Sequence, residues 1–256
     1  MELDNMSGRK IAGSVALVTG ANRGIGQAIA DALLERGVRK VYATARDPQT
    51  LETLQQRHGR RVVALRLDVT RDEQVAEVAR RAADIDLLFN NAGLATAAEL
   101  TSEAIVDQAR REMEVNYFGP LRMLQRFADA LALRGGAIVN VGSAAGLTSV
   151  PFVPTYSASK AALHSLTQAA RALLAARGIA VFGVYPGPVD TDMNKGLALE
   201  KAAPQDVAQH ILDGVEAGDE DIFPDPYAVA FAEQFELSPK GAERQAAAMF
   251  AVAPAA

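Results

Sequence analysis

The segment Thr19-Gly20-Ala21-Asn22-Arg23-Gly24-Ile25-Gly26 joins an apolar run, Val15–Thr19, to a stretch of helical periodicity, Gly24–Glu35. A turn of this kind needs residues without a Cβ. Backbone N–H groups can then approach an anion at the N-terminus of the next helix, where the macrodipole favours negative charge. The spacing is Gly-x-x-x-Gly-x-Gly, which departs from the Gly-x-Gly-x-x-Gly dinucleotide fingerprint. Alone, such a loop also reads as a tight structural turn with no ligand. Its place after the first buried strand favours a pyrophosphate cradle built from Gly20, Asn22, Arg23, Gly24, Ile25 and Gly26.

Working outward, the same strand–helix alternation repeats. Strands are expected at Val15–Thr19, Val41–Ala45, Val62–Leu67, Asp86–Phe89, Ala137–Val141, Ile179–Tyr185 and Asp221–Phe223. Helices are expected near Gly24–Glu35, Pro48–Arg57, Asp72–Ala83, Ser102–Leu133, Tyr156–Arg177 and Pro204–Ala217. The strands are almost continuously apolar, as burial on both faces of a parallel sheet requires. The pattern predicts a single doubly wound, Rossmann-type α/β domain with a parallel sheet of about seven strands and helices on both faces. Residues 1–9 read as a flexible leader and residues 10–256 as the domain, with a lid over 191–203 and an atypical helical C-terminal segment over 227–252. The Ala-rich end, Gly241 to Ala256, suits either a docked helix stopped by Pro254 or a frayed end.

The 256 residues carry 26 basic and 31 acidic side chains, a net charge of -5 that disfavours nucleic acid or an anionic membrane as partner. With 49% hydrophobic and 22% charged residues the composition is that of a globular protein. The absence of Cys excludes disulfides, thiolate metal sites and Cys nucleophiles. No run of about 18 apolar residues occurs and the first residues are charged, so a cytoplasmic protein is expected. His58, His164 and His210 lack metal-ligand spacing, so no metal is expected.

In this fold an acidic side chain at the end of the second strand would bind a ribose 2′-hydroxyl. Here that end reads Ala43-Thr44-Ala45-Arg46-Asp47. Two guanidinium groups, Arg46 and Arg23, with no carboxylate at the strand tip, favour a 2′-phosphate and therefore NADPH over NADH. The alternative is a solvated Arg46 blunted by Asp47.

Tyr156-Ser157-Ala158-Ser159-Lys160 opens a helix, and the i, i+4 spacing puts Tyr156 and Lys160 on one face. A phenol beside an ammonium suits proton transfer to a carbonyl, because the cation is expected to lower the tyrosine pKa. Ser143, just past the fifth strand, can donate to the same substrate oxygen. Tyr and Lys at this spacing are more often plain surface packing; the conjunction with Ser143 carries the argument.

These residues, taken in order with Asp68-Val69, Asn90-Asn91-Ala92-Gly93, Asn116, Pro186-Gly187, Val189 and Thr191, resemble the short-chain dehydrogenase/reductase family from about Lys10 to Asp190. The resemblance implies Tyr156 as acid or base and Ser143 as the donor that orients substrate. It implies Lys160 as ribose binder and tuner of Tyr156, and Asn116 as holder of a water behind Lys160. It also implies that Asp68 and Val69 flank the adenine and that Asn91, Ala92 and Gly93 lie beside the cofactor. Pro186, Gly187, Val189 and Thr191 then grip the nicotinamide end. An Asn within a long helix next to Gly119-Pro120 further suggests a kink that frees a carbonyl.

The expected activity is NADPH-dependent hydride transfer to a neutral, hydrophobic ketone or aldehyde, with oxidation of a secondary alcohol in reverse. Leu94, Ala95, Val150, Phe152, Val153, Met193 and Leu197 suggest an apolar pocket, with Lys195 the one candidate for holding a carboxylate. The alternatives are a non-catalytic NADP-binding or regulatory protein, a 3-oxoacyl-thioester reductase, and a dehydratase or epimerase. The family's frequent Asp-Gly-Gly ending is missing, which argues against its tetramer. A homodimer through Ser102–Leu133 and Tyr156–Arg177 is expected, using Val115, Phe118, Leu121, Leu163, Leu166 and Leu173, with plain core packing of these residues the alternative.

Overall fold

The computed structural model describes residues 8–96 and 99–252. Seven parallel strands form one sheet in the order β3-β2-β1-β4-β5-β6-β7. They are β1 (Val15–Val18), β2 (Lys40–Ala45), β3 (Val62–Arg66), β4 (Leu87–Asn90), β5 (Ala137–Val141), β6 (Ala180–Val184) and β7 (Asp221–Ile222). Period-two alternation divides each strand between two cores. Ala16, Val18 and Phe89 face Ile29 and Leu33 of α1 (Gly24–Glu35) and Ile211 and Val215 of α7 (Pro204–Ala217). Val15, Leu17 and Leu88 face the opposite layer. That layer is formed by Val75 and Val78 of α3 (Asp72–Arg81), Phe127 and Leu131 of α5 (Gly119–Ala132), and Leu174 of α6 (Pro154–Leu174). With α2 (Glu52–His58), this is the doubly wound arrangement that the apolar runs imply.

The single helix expected over Ser102–Leu133 is instead three pieces: α4 (Ile105–Met113), a π turn at Glu114–Phe118, and α5. Two residues explain the break. Gly119 lies so close to Val69 that an added Cβ would stand 2.8 Å from its Cγ2, and Pro120 has no N–H to offer the carbonyl of Asn116. Beyond β7, Asp225 caps α8 (Pro226–Leu237) by accepting from the Ala228 amide at 2.9 Å. Helix α9 (Pro239–Val252) follows, with Ala242 and Ala246 buried, so this end of the chain is docked. Pro254 lies outside the described residues, as do positions 1–7 of the expected leader. From Gly8 onward the chain rests on α7, where the Arg9 amide donates to the Val215 carbonyl at 2.9 Å. Among the described residues no helix is long and apolar enough to cross a membrane.

Candidate active site

Parallel strands deliver their C-terminal ends to one edge of the sheet, and the strand order reverses between β1 and β4, where a crevice opens. The segments that leave this edge carry the glycine loop after β1, Asn91–Gly93 after β4, Ser143 after β5 and Pro186–Thr191 after β6. Thr19 joins the first two. Its hydroxyl accepts from the amides of Asn91 at 2.9 Å and Ala92 at 3.0 Å, and the Asn91 side chain donates to the Thr19 carbonyl at 2.9 Å. The glycines have no room for side chains. A Cβ on Gly26 would stand 2.3 Å from the Gly20 carbonyl oxygen and the Asn91 amide nitrogen. Gly20 and Gly24 adopt φ of +66° and +55°, in the left-handed region. The loop is thus rigid and presents bare backbone at the N-terminus of α1, a shape that fits a dinucleotide pyrophosphate.

Helix α6 is held to the sheet by a ladder of buried polar groups. Asn90 donates to Asn140 at 2.8 Å, Asn140 to Thr167 at 2.9 Å, and Thr167 to the Leu163 carbonyl at 2.8 Å. The Asn116 amide is occupied on both sides. It accepts from the Leu94 amide and donates to the Leu94 carbonyl and to the Ser159 hydroxyl, all at 2.8 Å. Ser159 in turn donates to the Tyr156 carbonyl at 2.7 Å. The side chain of Asn116 therefore braces the site.

Tyr156 is half-buried and its phenol is hydrogen-bonded by the Ser143 hydroxyl. Lys160 is buried, donates to the Val141 carbonyl at 2.8 Å, and lies 5.7 Å from the centroid of the Tyr156 ring. The expectation that the ammonium lowers the phenol's pKa is not met. Burial pushes Tyr156 up to about 12, against the Ser143 bond that lowers it, and Glu112 raises it further. Burial pushes Lys160 down to about 8. Desolvation disfavours the charged form of each group, and the ammonium points to a carbonyl, so burial outweighs their mutual attraction. An ammonium has three donors and the protein supplies one acceptor here. Gly93, whose added Cβ would stand 3.7 Å from Nζ, leaves the space beside it open to ribose hydroxyls.

The remaining expected residues lie around this centre. Asp68 caps its own turn, accepting from the Thr70 amide and hydroxyl at 3.0 and 2.7 Å, and Val69 packs on Gly119. Val189 is buried and bridges to Ala202, so the two ends of segment 189–202 meet, while Pro186 is buried and Thr191 lies beside Gly24. Gly187 donates its amide to Asp225 at 2.8 Å. Ile25 is half-buried against the core beneath the loop, and Asn22 is half-buried within it. The two expected guanidinium groups differ. Arg46 is exposed with no ion pair among the described residues, and Asp47 caps the next turn through the Gln49 amide. Arg23 pairs with Asp192 at 2.9 Å, an exposed contact worth at most about 1 kcal/mol and readily exchanged. Thr19, Asn140, Ser159, Thr167 and Glu112 were not singled out from sequence. A lone Asn inside the apolar run Ala137–Val141 was a usable signal for Asn140; nothing comparable marks Glu112. Of the histidines, His58 pairs with Asp31, His164 bonds Tyr185 and His210 bonds the Pro224 carbonyl.

Fold and site together define a dinucleotide-binding α/β oxidoreductase. The short chain dehydrogenase family matches residues 14–202, and the chain belongs to it. A 3-oxoacyl-[acyl-carrier-protein] reductase of Vibrio cholerae is 34% identical over 235 residues, 90% of this chain and 92% of that protein. A short chain dehydrogenase from Burkholderia cenocepacia, solved in complex with NADP, is 40% identical with a TM-score of 0.85, covering 93% of this chain and 99% of that one. One from Burkholderia phymatum, solved with NAD, is 25% identical with a TM-score of 0.80, covering 91% and 96%. The protein is an NAD(P)-dependent oxidoreductase of this family acting on a small molecule.

The Lys160 value carries a sign that can be tested. Its pKa of about 8 lies below the ordinary 10.5, so the burial penalty on the ammonium is complete below pH 8 and fades as pH rises towards 10.5. Urea melts should show the wild type gaining stability relative to Lys160→Met across that window. A gap that stays constant with pH contradicts the assignment.

Proposed function

We propose that this protein is an NADPH-preferring reductase of neutral, apolar ketones and aldehydes, able to oxidise the corresponding secondary alcohols. The observation that carries the proposal is the bonding of Ser143 to a Tyr156 phenol held in its protonated form, one helical turn from a buried Lys160, at the edge where the glycine loop lies. The cofactor would rest on Gly20, Asn22, Arg23, Gly24, Ile25 and Gly26, with Asp68, Val69 and Asn91–Gly93 beside the adenosine half. Lys160 and Tyr156 would meet the nicotinamide ribose, and Pro186, Gly187, Val189 and Thr191 the nicotinamide. When bound it supplies the hydride that adds to the carbonyl carbon. Ser143 donates to the carbonyl oxygen and orients it. Tyr156 gives its proton to that oxygen as negative charge develops there, and Lys160 returns a proton to the phenolate. A phenol held neutral by burial suits the donating direction.

Leu94 and Ala95 leave β4, Val150, Phe152 and Val153 precede α6, and Met193 and Leu197 lie in the lid; all are partly exposed apolar groups on segments from the same edge. Their lack of a fixed cation favours an uncharged substrate, since Lys195 is exposed. The resemblance to the Vibrio reductase supports a second reading, reduction of 3-oxoacyl thioesters. A homodimer is supported by Phe118 and Leu173, which are 41% and 75% exposed, whereas Leu163 is buried in its own subunit.

A screen of NADPH oxidation should rank neutral ketones and aldehydes above 2-oxo and 3-oxo acids; the reverse order refutes the substrate class, and turnover of a 3-oxoacyl thioester above all others selects the second reading. Tyr156→Phe should lower kcat by roughly 10²–10⁴ while NADPH affinity stays within about twofold. Loss confined to KM would remove Tyr156 from the chemical step. For cofactor choice, Arg46→Ala should lower kcat/KM for NADPH by about tenfold and leave NADH nearly unchanged, since a charge-assisted bond to the 2′-phosphate is lost. Equal effects on both cofactors speak against a 2′-phosphate contact.

A further inference from the structure

Ser143 owes its position to what holds the turn behind it. Its hydroxyl oxygen accepts from the Ala145 amide at 3.2 Å, and its carbonyl accepts from the Gly146 amide at 2.8 Å. The turn is tied to the segment after β6 through the Pro186 carbonyl. The Ala144 amide donates to that carbonyl at 3.1 Å, and the Ser143 hydroxyl lies 3.5 Å from it. The same peptide group carries the Gly187 N–H, which donates to Asp225 Oδ2 at 2.8 Å. The other carboxylate oxygen accepts from the Ala228 amide at 2.9 Å, at the start of α8. Asp225 is 3% exposed, so its two oxygens depend on these two donors. Gly187 is dictated by this contact rather than by its backbone conformation. Its φ lies outside the left-handed region, yet an added Cβ would stand 2.5 Å from Tyr227 Cδ1 and 2.8 Å from Asp225 Oδ1. Helix α8 also packs against the turn Ala144–Gly146.

We propose that Asp225, in the C-terminal segment beyond β7, is a positioning residue of the active site: by holding the N–H of the Pro186–Gly187 peptide it sets the plane of that peptide, whose carbonyl fixes the turn carrying Ser143. The proposal deepens the reading of Ser143 as the donor that orients a substrate carbonyl and rests on it. A peptide group is planar and stiff, so a tilt permitted at its N–H edge is passed to its carbonyl edge. Hydrogen bonds on opposite edges of one plane therefore couple the buried carboxylate to Ser143. Asp225 need not touch substrate or cofactor for this. It must supply two acceptor oxygens in fixed places where α8 meets the edge of the sheet, one for the helix and one for Gly187. Leaving the Gly187 amide without its acceptor costs that bond and frees the plane to turn.

Asp225→Ala removes both acceptors; Asp225→Ser keeps a side-chain cap for α8 and withdraws the second oxygen from Gly187. In the holoenzyme, both should lower kcat/KM for the best ketone or aldehyde of the screen by about tenfold, and by less than about twofold when Ser143→Ala is already present, because coupled residues are not additive. An equal loss in both backgrounds, or a D225S enzyme as active as the wild type, overturns the proposal. Amide hydrogen exchange gives a readout independent of turnover. Gly187 is the sole glycine in the chain that follows a proline, so carbonyl-labelled proline with nitrogen-labelled glycine selects its amide. In both variants the Gly187 and Gly146 amides should exchange about tenfold faster or more, while the amide of Gly183, bonded to the Glu220 carbonyl from within β6, keeps its wild-type rate. A Gly146 amide that is unchanged, or a Gly183 amide that accelerates alongside it, overturns the coupling. Should D225A fail to fold, D225S decides the matter by the same criteria. The expected exchange pattern without turnover of any carbonyl would support the coupling and count instead against the reaction proposed above.

Discussion

The site depends on a cation kept out of water. Lys160 sits 4% exposed at the C-terminal edge of the sheet with one carbonyl, that of Val141, as its protein acceptor. Burying an ammonium costs several kcal/mol unless other acceptors complete its shell. That cost is met by the rest of the fold, whose two apolar cores clamp seven parallel strands and leave the crevice where it is. Burial pushes this lysine down to about 8 and leaves it donors to spare, which suits the proton-returning and ribose-binding roles proposed for it.

The polar seams around that lysine fix its helix in register. Asn90, Asn140 and Thr167 link β4, β5 and α6 inside otherwise apolar surroundings, and Thr19 with Asn91 ties the glycine loop to the neighbouring strand. Asn116 couples the π turn to α6 and to the segment after β4 at once. Such networks are stable when nearly every member is satisfied, and they specify a single arrangement. Within these seams Asn90 Oδ1 is buried without a hydrogen-bond partner. Tyr156 inherits its character from these surroundings: burial, with Glu112, disfavours the phenolate and outweighs the Ser143 bond that favours it.

Much of this was legible in the amino-acid order. Nearly uniform apolar runs such as Ala137–Val141 implied strands buried on both faces, and Gly20, Gly24 and Gly26 marked a turn whose crowding the structure explains residue by residue. The Tyr156 to Lys160 spacing and Ser143 placed the chemistry at one edge. What escaped was whatever depends on three-dimensional surroundings. The π turn arises from Gly119 meeting Val69, fifty residues away in sequence. The direction of the Tyr156 shift depends on how deeply the pair is buried and where the ammonium points, and spacing along a helix encodes neither. Arg23 finds Asp192 only because the segment after β6 returns to the glycine loop. Glu112 looked like one more charge on a helix rich in charged residues, and its burial shows only when α4 packs against α6.

The burial of Lys160 can be read directly. The chain contains six lysines, so the protein labelled at lysine Cε and Nζ gives few enough resonances to follow each one by NMR as pH is raised, with Lys160→Met assigning the resonance of interest. One side chain titrating near pH 8, in the ligand-free protein and absent from that variant, is the predicted result. A Lys160 resonance that titrates at or above its ordinary value of 10.5 would show the ammonium to be solvated, and the account of the site built on it would fall.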